Sequence, residues 1–380
     1  MVDSALNSAD RFISAGSVRW DLIRRLAFPA ALFVSFAFFA VPVLRSKQVG
    51  DPVKGNWTDH LRYRYCSSLV ISDPWRAMTT PLGFLAAQDT QKYKRPTWLA
   101  EPCHQAGVVH LAIHAPFQWL VEREVLAEHT ATNIYVLLLL VVAHLTLYIL
   151  GRGSLWWAAL ILYPILLRNA LYGIQENIPI LFGLLCAMAW GRGRLLLALA
   201  FWVLAFSAYT RWIIWLPPLL YLCWRERARL YESVQELRSP GARVCAVVLV
   251  LVFGWSLLST IIVGLHRIAP PGTLSPMARG LIWIFVALWG VYWLIDRKSA
   301  LAPFMLVSGL FLVVYKGLAM HWYFGPLWGA APFGRSKFEV GGWAVAAGLM
   351  TDLVMNVSVL EVRSLFDFAF KSWSALGHGG

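Results

Sequence analysis

The chain has 380 residues, of which 59% are hydrophobic and only 14% charged, with 20 Trp and a mean hydropathy of +0.60. A soluble domain carries about 25% charged and about 45–50% apolar residues, so this composition excludes a soluble globule, a disordered chain and a disulfide scaffold. The apolar residues come in long blocks, which excludes an outer-membrane barrel and leaves a polytopic α-helical membrane protein whose helices satisfy their own backbone groups in lipid. In that setting the formal charge of +13 reflects arginine-rich loops beside anionic lipid and not a nucleic-acid partner.

In chain order, residues 1–25 are expected in the cytoplasm, followed by a first span over Leu26–Leu44 that has no small-residue cleavage site and therefore acts as an anchor. The segment from Arg45 to Thr130 is long and polar. It contains Asp51, Asp59, Asp73, Asp89, Glu101, Glu122, Glu124 and Glu128, and two amphipathic stretches, His60–Ser72 and Gly107–Val121. Spans are expected at Ala131–Leu150, Val244–Leu265, Leu281–Ile295, Ala300–Leu318 and Val340–Leu360. Four shorter blocks lie between them: Leu155–Leu167, Ile178–Trp190, Leu195–Ala208 and Trp212–Trp224. These four read as short or tilted helices, or alternatively as two spans with re-entrant pieces. The expected total is about ten spans, with a basic cytoplasmic loop over 226–243 and a cytoplasmic tail over 361–380.

The positive-inside rule orients this arrangement. With the N-terminus inside, the inner segments hold Arg24 and Arg25; Arg152; Arg192 and Arg194; Arg225, Arg227, Arg229, Arg238 and Arg243; Arg297 and Lys298; Arg363 and Lys371. The short outer loops hold Arg168, Arg211, Arg267, Arg279, Arg335 and Lys337. The large loop over 45–130 then falls outside. Cys66 and Cys103 both lie in it, where a bridge is permitted. A bridge would close a loop of about 38 residues and contribute about 3–4 kcal/mol; two free thiols are the alternative. Cys186, Cys223 and Cys245 read as small apolar residues of spans.

Asp59 is the leading chemical candidate, in the run Gly55-Asn-Trp-Thr-Asp-His-Leu-Arg-Tyr-Arg-Tyr65. A carboxylate near the headgroup plane, with His60 and Tyr63 beside it, suits a general base that takes a proton from an attacking hydroxyl. The competing role is a helix N-cap. His110 and His114, four apart, share a helix face as metal ligands do, yet no third ligand is evident, so they are weak metal candidates. Arg168, Arg211, Arg267, Lys316 and His321 are cations at membrane edges, where charge is costly and a cluster can neutralise a phosphate. Snorkelling is the competing role for each. Tyr172-Gly-Ile-Gln-Glu-Asn177 forms a polar knot with a second carboxylate, Glu176, whose competing role is a capping turn.

The order and sidedness of these features resemble the GT-C superfamily of membrane glycosyltransferases over roughly residues 26–225, which would form a GT-C-like catalytic module. The carriers are Asp59 after the first span, the loop ending near His114-Ala-Pro-Phe-Gln-Trp119, the Tyr172–Asn177 run, and Ala208-Tyr-Thr-Arg-Trp-Ile-Ile-Trp-Leu-Pro-Pro218. The last two are similar to Gly-Gln-x-Asn and Lys-x-x-Pro-like stretches of bacterial polyprenol-phosphate-mannose-dependent mannosyltransferases. Two departures stand out. His60 follows Asp59 where a second acid would complete a metal-binding pair, and Arg211 stands where a lysine is common, which alters the geometry of the charge.

The resemblance implies an inverting transferase of the bacterial inner membrane with a periplasmic site. It would move a hexose, mannose in the first instance, from a polyprenyl-phosphate donor to a lipid or glycan acceptor. Asp59 would act as base, while Lys316, His321 and Arg211 would hold the donor phosphate. His60, Tyr63, Glu176 and Arg267 would face substrate. No cofactor is required by this chemistry, and a divalent metal has no support beyond His110 and His114. The alternatives are a transporter or flippase of lipid-linked sugars, with a midplane site flanked by repeats, and a non-catalytic assembly subunit.

Overall fold

A computed structural model describes residues 26–47, 59–75, 107–151, 156–264, 276–314, 324–336, 339–344, 346–347 and 359–377. These residues are almost entirely helical, with no strand among them. In order the helices are α1 (Leu26–Arg45), α2 (Asp59–Ser72), α3 (Val108–Glu122), α4 (Glu128–Gly151), α5 (Trp156–Leu171), α6 (Asn177–Gly191), α7 (Leu195–Ala208), α8 (Leu216–Arg225), α9 (Arg227–Val234), α10 (Pro240–Gly264), α11 (Pro276–Ile295), α12 (Leu301–Val314), α13 (Phe324–Gly329), α14 (339–344) and α15 (Val359–Gly377). Three of them, α1, α4 and α10, are long and apolar enough to cross a membrane on their own. Among the described residues four shorter apolar helices stand beside these three, and together they make the chain a helical membrane protein.

The four blocks between Leu155 and Trp224 form four separate helices, α5 to α8. At a rise of about 1.5 Å per residue each is shorter than the roughly 30 Å of hydrocarbon. Their breaks have local causes. Gly193, at φ +74°, lets the chain reverse between α6 and α7. Pro217 and Pro218 start α8 where missing N–H groups cost nothing, after a 3₁₀ segment over Thr210–Trp215. α6 and α7 form the most closely packed antiparallel pair, with α4 beside α5 and α6, α10 on α7, and α11 on α12.

The core of the bundle is aromatic. Trp212, Trp215, Trp328, Trp343 and Phe304 are fully buried. Trp212 fits only because Gly183 and Gly329 carry no side chain; a Cβ at either would overlap its ring. The Trp215 indole donates to the Pro326 carbonyl (3.0 Å), and the Trp343 indole to the Leu327 carbonyl (2.9 Å). Nearer the start of α1, Ser35 takes a hydrogen bond from, or gives one to, Tyr163 (2.7 Å), and it pairs with His144 Nε2 (3.0 Å). This joins α1, α4 and α5 through polar groups that lipid would otherwise leave unpaired.

One sequence expectation changes. Arg335 was assigned to the bundle end opposite Arg297. In the structure the Arg335 amide donates to Glu339 (2.6 Å), and Glu339 accepts from Ser299, the residue after Lys298. Gly334 also packs beside Leu301. Arg335 and Arg297 therefore share one end. The cause is α13 with the 3₁₀ turn Ala331–Phe333, a Gly- and Pro-broken passage too short for a hydropathy signal. Lys337 lies outside the described residues. The expected tail over 361–380 is, through residue 377, the helix α15. Its Phe366, Phe370 and Trp373 rings pack on Phe38 of α1, and the Trp373 indole donates to the Phe38 carbonyl (2.9 Å).

Candidate functional site

The α6–α7 hairpin puts the start of α6 and the end of α7 at one level. Gly107, at φ +70°, brings the start of α3 to the same level, against the backbone of Ser207 and Ala208 where no Cβ would fit. The Asn133 amide donates to the Ser46 carbonyl (2.8 Å), tying the start of α4 to the exit of α1. This end of the bundle holds most of the buried polar side chains: Ser67, Ser68, His110, His114, Gln118, Thr132, Asn133, Asn169, Gln175, Glu176, Asn177, Ser207, Thr210 and Arg211. We call it the polar end.

Asp59 is the first residue of α2, and His60 and Tyr63 follow in its opening turns; their side chains lie outside the described part of the structure. α2 is fixed to α3 by Ser67, whose hydroxyl donates to the Leu111 carbonyl (3.2 Å), and by Ser68, which donates to the Glu122 carboxylate. Gln118 holds the same carboxylate oxygen (2.9 Å). Cys66, fully buried between these contacts, is disulfide-bonded, whereas Cys186, Cys223 and Cys245 are free thiols. Cys103 lies outside the described residues.

His110 and His114 are fully buried, with rings 4.8 Å apart and nearly perpendicular. His114 lies 3.8 Å from the Tyr135 ring, and the Tyr135 hydroxyl stands 3.3 Å from His110 Nε2. Tyr135, on α4, is a residue that sequence reasoning missed. No group of three His, Cys, Asp or Glu side chains able to hold a metal occurs among the described residues.

The α5–α6 turn runs through Gly173, at φ +65°. Arg168 lies 5.3 Å over the Tyr172 ring. Glu176 immediately precedes α6 and makes no side-chain capping bond to it. Asn177 instead reaches back to the Leu166 carbonyl (2.8 Å). Buried acceptors crowd this level. Gln175 Oε1, Asn177 Oδ1 and the Ser207 hydroxyl have no hydrogen-bond partner among the described residues, and each such group costs about 1–3 kcal/mol when left unmet.

Arg211 is buried in the 3₁₀ segment, 8% exposed, with its guanidinium 4.9 Å over the Tyr209 ring. The extended backbone of Tyr209 (φ −152°, ψ 110°) turns the chain out of α7 and aims the segment back into the bundle. The Trp202 indole, donating to the Trp212 carbonyl (3.2 Å), fixes that fold-back.

Of the expected site residues, the structure brings Arg211, Glu176, His110 and His114 to the polar end. Lys316, His321 and Arg267 lie outside the described residues. Gln175 and Asn177 belong to the Tyr172–Asn177 run that the sequence already marks, whereas Ser207 is a residue that sequence reasoning missed, although a hydroxyl inside an apolar block is a signal that could have found it. No protein-family model, no curated protein and no solved structure matches the chain.

Proposed function

We propose that the chain is an inverting membrane glycosyltransferase of GT-C type, moving a hexose from a polyprenyl-phosphate donor to a lipid or glycan hydroxyl at the polar end. The reading rests on one observation: Gln175, Asn177 and Ser207 present buried oxygens with no hydrogen-bond partner among the described residues, at the end of the bundle that also holds the buried Arg211. Amides and hydroxyls are the groups that pair with sugar hydroxyls, and a guanidinium is the group that grips a phosphate in two places. Buried polar groups inside an apolar bundle are costly to keep, which supports a substrate site at this end. The disulfide at Cys66 supports an oxidising compartment for this end. A site there has no access to cytoplasmic nucleotide sugars, which favours a donor carried on lipid.

In this reading Asp59 takes the proton of the acceptor hydroxyl as its oxygen attacks the anomeric carbon. The bond from that carbon to the phosphate oxygen breaks, and the electron pair leaves with polyprenyl phosphate. The leaving group needs a cation and not a proton, a role that falls to Arg211 with Lys316 and His321. Mannose is the first sugar to try, and the bacterial inner membrane, with the site on its outer face, the expected location.

The test is steady-state kinetics of the purified protein with polyprenyl-phosphate mannose. Arg211→Ala should raise the donor KM at least tenfold, and Arg211→Lys should recover part of it. Unchanged donor kinetics in Arg211→Ala removes the residue from the site.

A further inference from the structure

The opposite end of the bundle carries a cluster that the proposed reaction does not use. Tyr221 and Trp224, on α8, and Trp293, on α11, form one aromatic surface, with Tyr221 5.6 Å from Trp293 and 6.4 Å from Trp224. Each ring is covered by an arginine: Arg225 over Tyr221 (5.8 Å), Arg227 over Trp224 (5.8 Å) and Arg297 over Trp293 (5.6 Å). Arg225 Nη1 donates to the carbonyls of Arg297, Lys298 and Ser299 (3.4, 3.4 and 3.2 Å), which fixes α8 to the α11–α12 turn and holds the three pairs together.

The acids nearby are already engaged. Glu226 pairs with Arg225 (3.4 Å) and Arg229 (3.5 Å). Asp296 accepts from the Lys298 amide (3.0 Å) and the Tyr292 hydroxyl (3.4 Å). Arg227, Arg297 and Lys298 are exposed and form no ion pair among the described residues. The Trp293 indole N–H, in the same cluster, has no acceptor among them either. Trp224 is 65% exposed, which puts an indole at the rim where such rings sit at headgroup level.

We propose that this Arg–aromatic triplet is a built site for the phosphodiester of an anionic phospholipid. Aromatic faces would take the glycerol and upper acyl carbons, and Arg227 and Arg297 the phosphate oxygens, in the planar two-pronged geometry that guanidinium offers. Charge complementarity selects the occupant: cations stand in excess at a membrane rim, and anionic headgroups are what lies there. Snorkelling alone would scatter the arginines individually, whereas here each of three lies over a ring of one aromatic cluster, and Arg225 ties the two helices that carry the rings.

The test uses the full chain in a neutral detergent, with thermal unfolding read by tryptophan fluorescence. Phosphatidylglycerol should raise the midpoint by roughly 3–6 °C, with phosphatidylcholine and inorganic phosphate giving less than about a third of that shift. Arg227→Gln/Arg297→Gln should abolish the difference between the two lipids. Arg192→Gln/Arg194→Gln removes equal charge from the same end, from arginines that cover none of these three rings, and should preserve it. Should the first variant unfold, Arg227→Lys/Arg297→Lys keeps the charge without the planar group and should lose at least half of the phosphatidylglycerol shift. Equal shifts in both lipids, an equal shift with phosphate, full retention in the lysine variant, or equal loss in the Arg192/Arg194 variant would each overturn the proposal.

Discussion

The Ser299 hydroxyl donates to the Glu339 carboxylate across 40 residues of sequence. Each of the two residues stands at a helix start. Ser299 accepts from the Ala302 amide at the opening of α12 (3.1 Å). Ser336 accepts from the Glu339 amide (3.0 Å), while Glu339 returns the contact to the Ser336 and Arg335 amides. Ser336-Lys-Phe-Glu339 is thus a capping box whose acid is shared with a second helix, and the sharing explains why a carboxylate 2% exposed is tolerated here.

One consequence concerns topology. Lys298→Cys and Arg335→Cys, introduced singly and probed in sealed vesicles with a membrane-impermeant thiol reagent, should react from the same side. Reaction from opposite sides would contradict the shared end and restore the alternation expected from charge alone.

A second concerns stability. Glu339→Ala removes an acceptor from three donors at once, Ser299, Arg335 and Ser336, and should cost about 2–4 kcal/mol. Ser299→Ala should cost about half as much. Thermal or denaturant unfolding in detergent measures both, and the two losses should fall well short of additive in the double variant, because the residues share one bond.

The tryptophan core makes a third. Trp212→Ala should cost about 3–5 kcal/mol through the void it leaves. Gly329→Leu should destabilise from the other direction, by overfilling the space that the Trp212 ring occupies. If Gly329→Leu is neutral, the ring and the α13 passage do not meet as described.

Reduction provides a fourth. Breaking the disulfide at Cys66 should loosen α2, which the Ser67 and Ser68 bonds would still tie to α3. Limited proteolysis should then cut near residues 59–75 at least several-fold faster, whereas the α6–α7 hairpin should keep its resistance.

Much of this architecture is legible in the residues. The long runs of α1, α4 and α10 announce themselves by hydropathy, and Gly191-Arg-Gly-Arg194 and Pro217–Pro218 mark the hairpin turn and the start of α8 as breakers should. The α13 passage was illegible for a physical reason: ten residues interrupted by Gly and Pro, held by indole bonds to Pro326 and Leu327, carry no periodic signal of their own. At the polar end Arg211 and Glu176 could be singled out because charge inside an apolar block is conspicuous. Asn177 stands out within the Tyr172–Asn177 run and Ser207 by a hydroxyl inside an apolar block, whereas Tyr135 could not be found, since a single polar residue in a helix does not say which neighbour it faces. Asp59 opens α2, where the first-turn N–H groups favour an acid.

Sugar transfer at the polar end is measured as cleavage of the donor. The reconstituted protein is incubated with labelled polyprenyl-phosphate mannose and a lipid or glycan acceptor, and the released polyprenyl phosphate is measured beside the same protein carrying Asp59→Asn. Transfer in the native chain and a loss of at least a hundredfold in the folded variant is the predicted result. Transfer at the native rate in Asp59→Asn, or donor binding with no bond cleavage in either protein, would contradict it.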